Sequence, residues 1–138
     1  MAPAIQHINP VGLSDPSHYG YTHVTVVPPG AKLVYIAGQL GEDEAGDLVS
    51  DDFAAQLKQA FLNLRTALAA VGATPEQVVK ITVLSVHHDA EKQRLISIER
   101  NTFWNKEWKP ASTLIPVPRL AVDGMLFEID AVAVISDS

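Results

Sequence analysis

Glu128 is an acid within an otherwise apolar run, the segment FEIDAVAV from Phe127 to Val134. A carboxylate in such a strand either has a partner or has a pKa raised by desolvation, and both conditions suit a general acid or base. The alternative is structural. Glu128 and Asp130 lie two residues apart, so they share one face of a strand and can pair with Lys or Arg across an interface. On the residues alone, the structural interpretation is favoured by about two to one.

Ser112 and Arg119 are the other candidates near the C-terminus. Ser112 follows Pro110 and Ala111 at the start of a strand, where its hydroxyl can bind a ligand carbonyl or water, although such hydroxyls more often satisfy the backbone. No Gly-x-Ser-x-Gly elbow surrounds any serine, which argues against a hydrolase-type nucleophile. Arg119 precedes a turn and could hold an anion with two hydrogen bonds, but a surface arginine is the more common outcome.

No metal or cofactor site is predicted. The chain has no cysteine, which excludes thiolate catalysis and cysteine-based metal sites. His87 and His88 are adjacent and would point to opposite faces of a strand, while Asp89 is better explained as a helix cap. The acidic loop from Gly41 to Asp47 lacks the ligand spacing of an EF-hand, and neither a Walker loop nor a dinucleotide fingerprint is present.

Composition limits the class of protein. With 138 residues, 47% of them hydrophobic, the chain is expected to form one domain over residues 1–138. The net charge of −6 is spread along the sequence without a basic patch, so nucleic-acid binding is disfavoured. No stretch is apolar and long enough to cross a bilayer, so no membrane partner is predicted and a cytoplasmic location is expected.

Periodicity and turn residues predict the elements. Residues 1–20 are predicted to form an irregular arm, and two β-branched runs joined by PPGAK are predicted to form a hairpin. Ser50 or Asp51 is predicted to cap the first helix and Asp89 the second. In the second helix Leu95, Ile98 or Glu99, Thr102, Phe103 and Trp108 are predicted to come round on one face. The predicted strands are 22–27, 33–37, 78–86, 112–117 and 125–135, and the first helix is 52–72.

The order β-β-α-β-α-β-β predicts an α/β domain with one sheet and two helices on the same face of it. Both sets of alternating residues in the last strand are largely apolar, so the face without helices also needs cover. A closed cyclic oligomer is the usual way to provide that cover.

Several segments, in this order, resemble the Rid (YjgF-like) family: YIAGQ at 35–39, AAVG at 69–72, VVKITV at 78–83, Pro110-Ala111 and FEIDAVAV at 127–134. The resemblance covers about Tyr21 to Ile135. It implies a chorismate-mutase-like fold and a homotrimer whose sheets form a central barrel. Small-molecule ligands would then bind in clefts between subunits.

The resemblance also implies roles for single residues. Members of the deaminase branch hydrolyse imines and enamines without a cofactor, using a strand glutamate that matches Glu128 to position or activate water. Tyr21 matches a tyrosine before the first strand, while Ala37 and Leu114 replace a serine and a cysteine.

The arginine that grips the substrate carboxylate is replaced by Ser112, which argues against 2-imino acid deamination. Arg119 would restore that charge only if its loop folds into the cleft. The implied pocket is less polar and less cationic, which favours a neutral or hydrophobic ligand.

Three functions follow as hypotheses. The first is a homotrimeric enzyme that hydrolyses or deaminates a small imine, enamine or carbonyl compound, with Glu128 directing water and Ser112 and Tyr21 shaping the pocket. The second is a non-catalytic trimer that binds a metabolite or a partner in the same clefts. The third and least favoured is a ribonuclease, because the chain is acidic.

Overall fold

A computed structural model describes residues 4–105 and 107–136. Residues 1–3, 106, 137 and 138, which the predicted domain includes, lie outside the described residues. The strands are β1 (Gln6–Ile8), β2 (Val24–Val26), β3 (Lys32–Leu40), β4 (Val78–Val86), β5 (Ala111–Val117) and β6 (Phe127–Ile135). The helices are α1 (Phe53–Ala70) and α2 (Ala90–Phe103), with short 3₁₀ turns at Ser17–Tyr19 and Pro75–Gln77.

The main sheet has four strands in the order β3-β6-β4-β5. Strands β4 and β5 are parallel and joined through α2, whereas β6 is antiparallel to both of its neighbours. Both helices pack on one face of this sheet and share one apolar core with it. The predicted α/β fold with two helices on one face is therefore confirmed.

The core depends on the alternation of β6. The residues of β6 that point toward the helices are buried, namely Phe127, Ile129, Ala131 and Ala133. They pack against side chains of α1 and α2, namely Phe61, Leu64, Leu68 and Ile96. Among the described residues, no helix combines the length and apolarity needed to cross a membrane.

The start of α1 differs from the prediction. Asp52 is the N-cap, and its carboxylate accepts a hydrogen bond of 3.0 Å from the Ala55 amide. The Ser50 hydroxyl instead accepts from the Asp52 amide, so neither Ser50 nor Asp51 is the cap. The Asp89 cap of α2 is confirmed by a 2.8 Å hydrogen bond from the Lys92 amide.

The buried face of α2 also differs from the prediction. Its buried residues are Ile96, Ser97 and Arg100, whereas Ile98 is 50% exposed. The prediction holds in part, because Leu95 and Phe103 are partly buried and pack against the core. The polar Ser97 and the charged Arg100 also point inward, so the buried face is rotated from the predicted one.

The prediction that residues 22–27 and 33–37 pair as a hairpin is wrong. Strand β2 pairs with β1 in a separate two-stranded sheet, with Gln6 opposite Val26. Strand β3 pairs with β6 instead, which leaves β2 to dock through Thr25, whose hydroxyl donates to the Val79 carbonyl at 2.8 Å. The N-terminal arm is therefore not wholly irregular, since it contains β1 and the 3₁₀ turn at Ser17–Tyr19.

The face of the main sheet without helices carries exposed apolar side chains. Tyr35 is 75% exposed and Leu33 51% exposed on β3, and Ile115 on β5 is 43% exposed. Side chains of this size are costly to leave in water.

Candidate functional site

Tyr21, Ser112 and Leu114, all predicted to contact the ligand, line one cavity of about 410 Å³, hereafter the Tyr21 cavity. The cavity lies on the helix side of the sheet. This follows from the register, because Ser112 is opposite the buried Ile81 and cross-strand partners point to the same side. The other lining residues are Tyr19, Gln93 and Arg100.

Arg100 lines this cavity and is a residue that the sequence reasoning missed. It lies on α2 four residues after Ile96, so the two side chains share the inward face of the helix. Its side chain is only 2% exposed. Nη1 donates a 3.0 Å hydrogen bond to the Ser112 hydroxyl, and the guanidinium carbon lies 5.7 Å from the centre of the Tyr21 ring. A guanidinium therefore stands beside Ser112, but it comes from a helix rather than from the strand.

The N-terminal arm packs closely over Arg100. Gly20 has a φ of +90°, and a Cβ at this position would lie 2.6 Å from the Cβ of Arg100. The Thr22 amide donates to the Pro110 carbonyl at 2.9 Å, and the Asn101 side-chain amide donates to the His18 carbonyl at 3.0 Å. Glycine thus allows the backbone to approach the helix, and the flanking hydrogen bonds fix Tyr19 and Tyr21 at the cavity.

Burial lowers the pKa of Arg100 to about 10, mainly because desolvation disfavours the charged form. The side chain is still a cation at neutral pH. The Tyr21 cavity of this chain therefore contains one cation, which comes from the helix α2 and not from position 112 of the strand. The sequence gives no clear signal for this residue, because arginines are common on the exposed surfaces of helices.

Glu128 lies on the opposite side of the sheet, between Leu40 on β3 and Leu84 on β4. Its carboxylate packs over Gly38, where an added Cβ would lie only 2.0 Å from Oε2. Desolvation raises the pKa of Glu128, and the nearby charge of Asp130 raises it further. Gly38 and Glu128 therefore form a second group, and Ala37 precedes Gly38 where the register of β3 shifts against β6.

The two groups face away from each other within one chain. Ser112 pairs with Ile81 and Glu128 pairs with Leu84, and these two residues of β4 are three positions apart. Residues an odd number apart on a regular strand point to opposite faces. A ligand in the Tyr21 cavity therefore cannot reach the Glu128 carboxylate of the same chain without passing through the sheet.

Arg119 is held by its own loop. Its Nε donates to the Leu120 carbonyl at 2.9 Å, and Nη2 forms an ion pair of 2.8 Å with Asp123. Within the chain it does not line the Tyr21 cavity. A role in substrate binding stays a prediction for this residue.

His87 and His88 do not form a shared site. His88 hydrogen-bonds the Ser85 hydroxyl at 2.9 Å through Nδ1 and Gln93 at 3.2 Å through Nε2. His87 is exposed and has a φ of +50°. Over residues 4–105 and 107–136, no three His, Asp or Glu side chains come together in the manner of a metal site.

The comparisons with known proteins agree on one family. The family described as Endoribonuclease L-PSP matches residues 14–135. A RutC family protein of Pyrococcus abyssi is 34% identical over 103 residues, which cover 73% of this chain and 77% of the relative. The RutC family protein YjgH of Escherichia coli is 35% identical over 102 residues, covering 73% and 74% of the two chains.

Among solved structures, one of high similarity is YyfB of Yersinia pestis, described as a protein of unknown function of the conserved Rid family. It has a TM-score of 0.88 and 30% identity, and the alignment covers 94% of this chain and 97% of that one. The sequence comparisons and the structural comparison point to the same family, and the structural match covers nearly the whole chain. The protein therefore belongs to the Rid (YjgF, endoribonuclease L-PSP) family.

Proposed function

We propose that this chain is a homotrimeric Rid-family enzyme that hydrolyses or deaminates a small imine, enamine or carbonyl compound in clefts between subunits, without a cofactor. Membership of the family supports a small-molecule role. Glu128 is the observation that carries the proposal, since it is a carboxylate of raised pKa in a strand that is otherwise apolar.

The opposite placement of the two groups supports a site between subunits. The Tyr21 cavity faces the helix side of the sheet, and Glu128 faces the other side with Tyr35 and Leu33 exposed on the same sheet. A neighbouring subunit placed over this apolar face would bury it and could bring its own Tyr21 cavity toward Glu128. Each chain would then contribute its Tyr21 cavity to one site and its Glu128 to another.

The chemistry needs one base and a bound imine. Glu128 takes a proton from water while the water oxygen attacks the imine carbon, and it returns that proton to the nitrogen, giving a neutral carbinolamine. Glu128 then takes the hydroxyl proton as the carbonyl forms and passes it to the nitrogen as the carbon–nitrogen bond breaks, so that ammonia leaves. Water and imine are consumed, a carbonyl compound and ammonia are released, and Glu128 returns to its starting state.

The test is hydrolysis of 2-iminopropanoate generated in situ by an amino acid oxidase acting on alanine. Because the Arg100 guanidinium lies beside Ser112, the wild-type chain should accelerate release of the keto acid and ammonia above the uncatalysed rate, contrary to the expectation drawn from Ser112 alone. Glu128→Gln should lower kcat/KM by roughly a hundredfold to ten-thousandfold, because general acid–base catalysis contributes about that much. The matched control is Glu44→Gln, the same chemical change at an exposed loop residue, which should leave the rate unchanged.

Two outcomes would count against the proposal. Equal rates for wild type and Glu128→Gln would remove Glu128 from the chemistry. No acceleration with this substrate and with its neutral analogue, propan-2-imine, would favour the non-catalytic trimer that binds a metabolite or partner.

Ribonuclease activity, which the family description names, is the least favoured function. The chain carries a net charge of −6, and binding to a phosphate backbone needs a basic surface. Cleavage of RNA that is abolished by Glu128→Ala would reverse this ranking.

A further inference from the structure

We propose that Arg100 is the anion-binding residue of the Tyr21 cavity and that the ligand held there is a small monocarboxylate. The inference deepens the proposed function and rests on it for assigning this cavity to the substrate. It names a residue on α2 in place of the strand arginine that this chain lacks.

The first argument is the lack of a counter-charge. The chain has four arginines, of which Arg94 pairs with Glu91 at 2.6 Å and Arg119 pairs with Asp123 at 2.8 Å. Arg65 is exposed to water and lies over the ring of Phe103. Arg100 is buried, and no carboxylate pairs with it within the part of the chain that the structure describes. A buried charge without a partner destabilises a protein, so its retention indicates a ligand of opposite charge.

The second argument is unused hydrogen-bonding capacity. Nε of Arg100 is buried, and no described residue accepts a hydrogen bond from it. The Ser112 hydroxyl accepts its bond from Arg100, so its own proton is available to donate. An anion beside them would receive hydrogen bonds from the guanidinium and from the serine, and charge-assisted bonds of this kind are strong.

The third argument concerns position 112 itself. The Ser112 oxygen lies 3.0 Å from Nη1 of Arg100. A second guanidinium starting from position 112 would enter the same space, and two like charges at that distance repel each other. The small hydroxyl of Ser112 leaves room for Arg100 on α2. The presence of Arg100 therefore explains the absence of an arginine at position 112.

The surroundings select the kind of anion. The cavity offers one cation together with the rings of Tyr19 and Tyr21 and the side chain of Leu114. A single charge with apolar walls suits a monoanion that has a short apolar body. A phosphate dianion would need more donors or a second cation to compensate its desolvation.

The experiment measures binding without turnover. Nuclear magnetic resonance follows the arginine Nε–H signals of the isotopically labelled full chain while sodium propanoate replaces sodium chloride at constant ionic strength. The Arg100 signal should shift and saturate, whereas the signals of Arg65 and Arg94 should not. Propanamide, a neutral analogue of the same shape, should cause no saturable shift.

Arg100→Met should weaken propanoate binding by roughly tenfold to a hundredfold, as expected for loss of a charge-assisted contact. Binding in the variant is followed through the Leu114 amide, and the melting temperature should not fall, since an unpaired buried charge is removed. Arg65→Met is the matched control, because it removes the same charge from a guanidinium that also lies over an aromatic ring. It should bind propanoate like the wild type.

Ser112→Ala provides a second variant that retains the cation, and its affinity should fall by a smaller factor. No saturable shift of Arg100 in the wild type, or undiminished binding in Arg100→Met, would overturn the inference, as would preference for inorganic phosphate. Propanoate binding without imine hydrolysis would leave the inference standing and remove the proposed function. Hydrolysis of propan-2-imine without propanoate binding would leave the proposed function standing and remove the inference about Arg100.

Discussion

Glu128 has a pKa that depends on two neighbours, the apolar strand around it and the carboxylate of Asp130. Because its pKa is raised in the folded chain, the folded state holds the proton more tightly than the unfolded state does. The sign of the effect on stability follows: the free energy of unfolding decreases as pH rises from 4.5, the ordinary value, through the raised pKa. A carboxylate that is costly to ionise has been kept at this position, as expected for a working base.

Asp130→Asn is predicted to lower the pKa of Glu128, because it removes the second cause of the shift. The acidic limb of kcat/KM against pH should move to lower pH, since Glu128 would then be ionised earlier. Two measurements check this: the pH–rate profile of imine hydrolysis and the carbon-13 titration of the Glu128 carboxyl group. If the carboxyl group titrates at the same pH in both proteins, the assigned coupling is wrong.

Single residues differ in how far the sequence predicts them. Glu128 can be singled out because an acid in an apolar strand contradicts the pattern around it. Arg100 cannot be found in that way, because arginines are common on helix surfaces and only the rotation of α2 turns this one inward. That rotation depends on packing against the sheet and the arm, which periodicity alone does not supply.

At the scale of elements, long runs are predictable and short ones are not. The alternation of β6 and the β-branched run of β4 predict their strands within a few residues, because each buries a whole face. Strand β1 has only three residues and no periodic pattern, so its pairing with β2 is decided by tertiary contacts. Because β1 is not predicted from the sequence, β3 is the nearest strand available to pair with β2, and that prediction is incorrect.

The cap of α1 offers a test at this scale. Asp52→Ala should reduce the free energy of unfolding by about 1 kcal/mol, because the Ala55 amide loses its acceptor. Asp51→Ala, the same change one residue earlier at an exposed position, should alter it by less than about 0.5 kcal/mol. Urea unfolding of both variants measures the difference, and equal effects would show that Asp52 is not the cap.

At the scale of the whole molecule, the sheet face without helices determines how copies of the chain would associate. The exposure of this face was predictable, because both sets of alternating residues in β6 are largely apolar and two helices cover only one face. The number of subunits is not encoded in such a pattern, since any closed ring would bury the face. The trimer is therefore a proposal that rests on family resemblance.

Tyr35→Lys is predicted to convert the proposed trimer to monomers, because it places a charge on the apolar face, where Tyr35 is 75% exposed in a single chain. Light scattering of the eluting protein measures the mass. Leu62→Lys, on the outer surface of α1 and 55% exposed, is the control and should remain trimeric. A wild-type protein that is monomeric at micromolar concentration would refute the proposal directly.

The close contact between Gly20 and Arg100 has a consequence for the order of folding. The Tyr21 cavity draws on residues near both ends of the chain, so it is complete only after the N-terminal arm has docked on α2 and β5. Contacts between segments so far apart in sequence carry a loop-closure cost and tend to form late. A bound anion would stabilise the docked arm through mass action. Its presence should therefore slow proteolytic cleavage between Ser17 and Thr22 and leave the exposed acidic loop as susceptible as before.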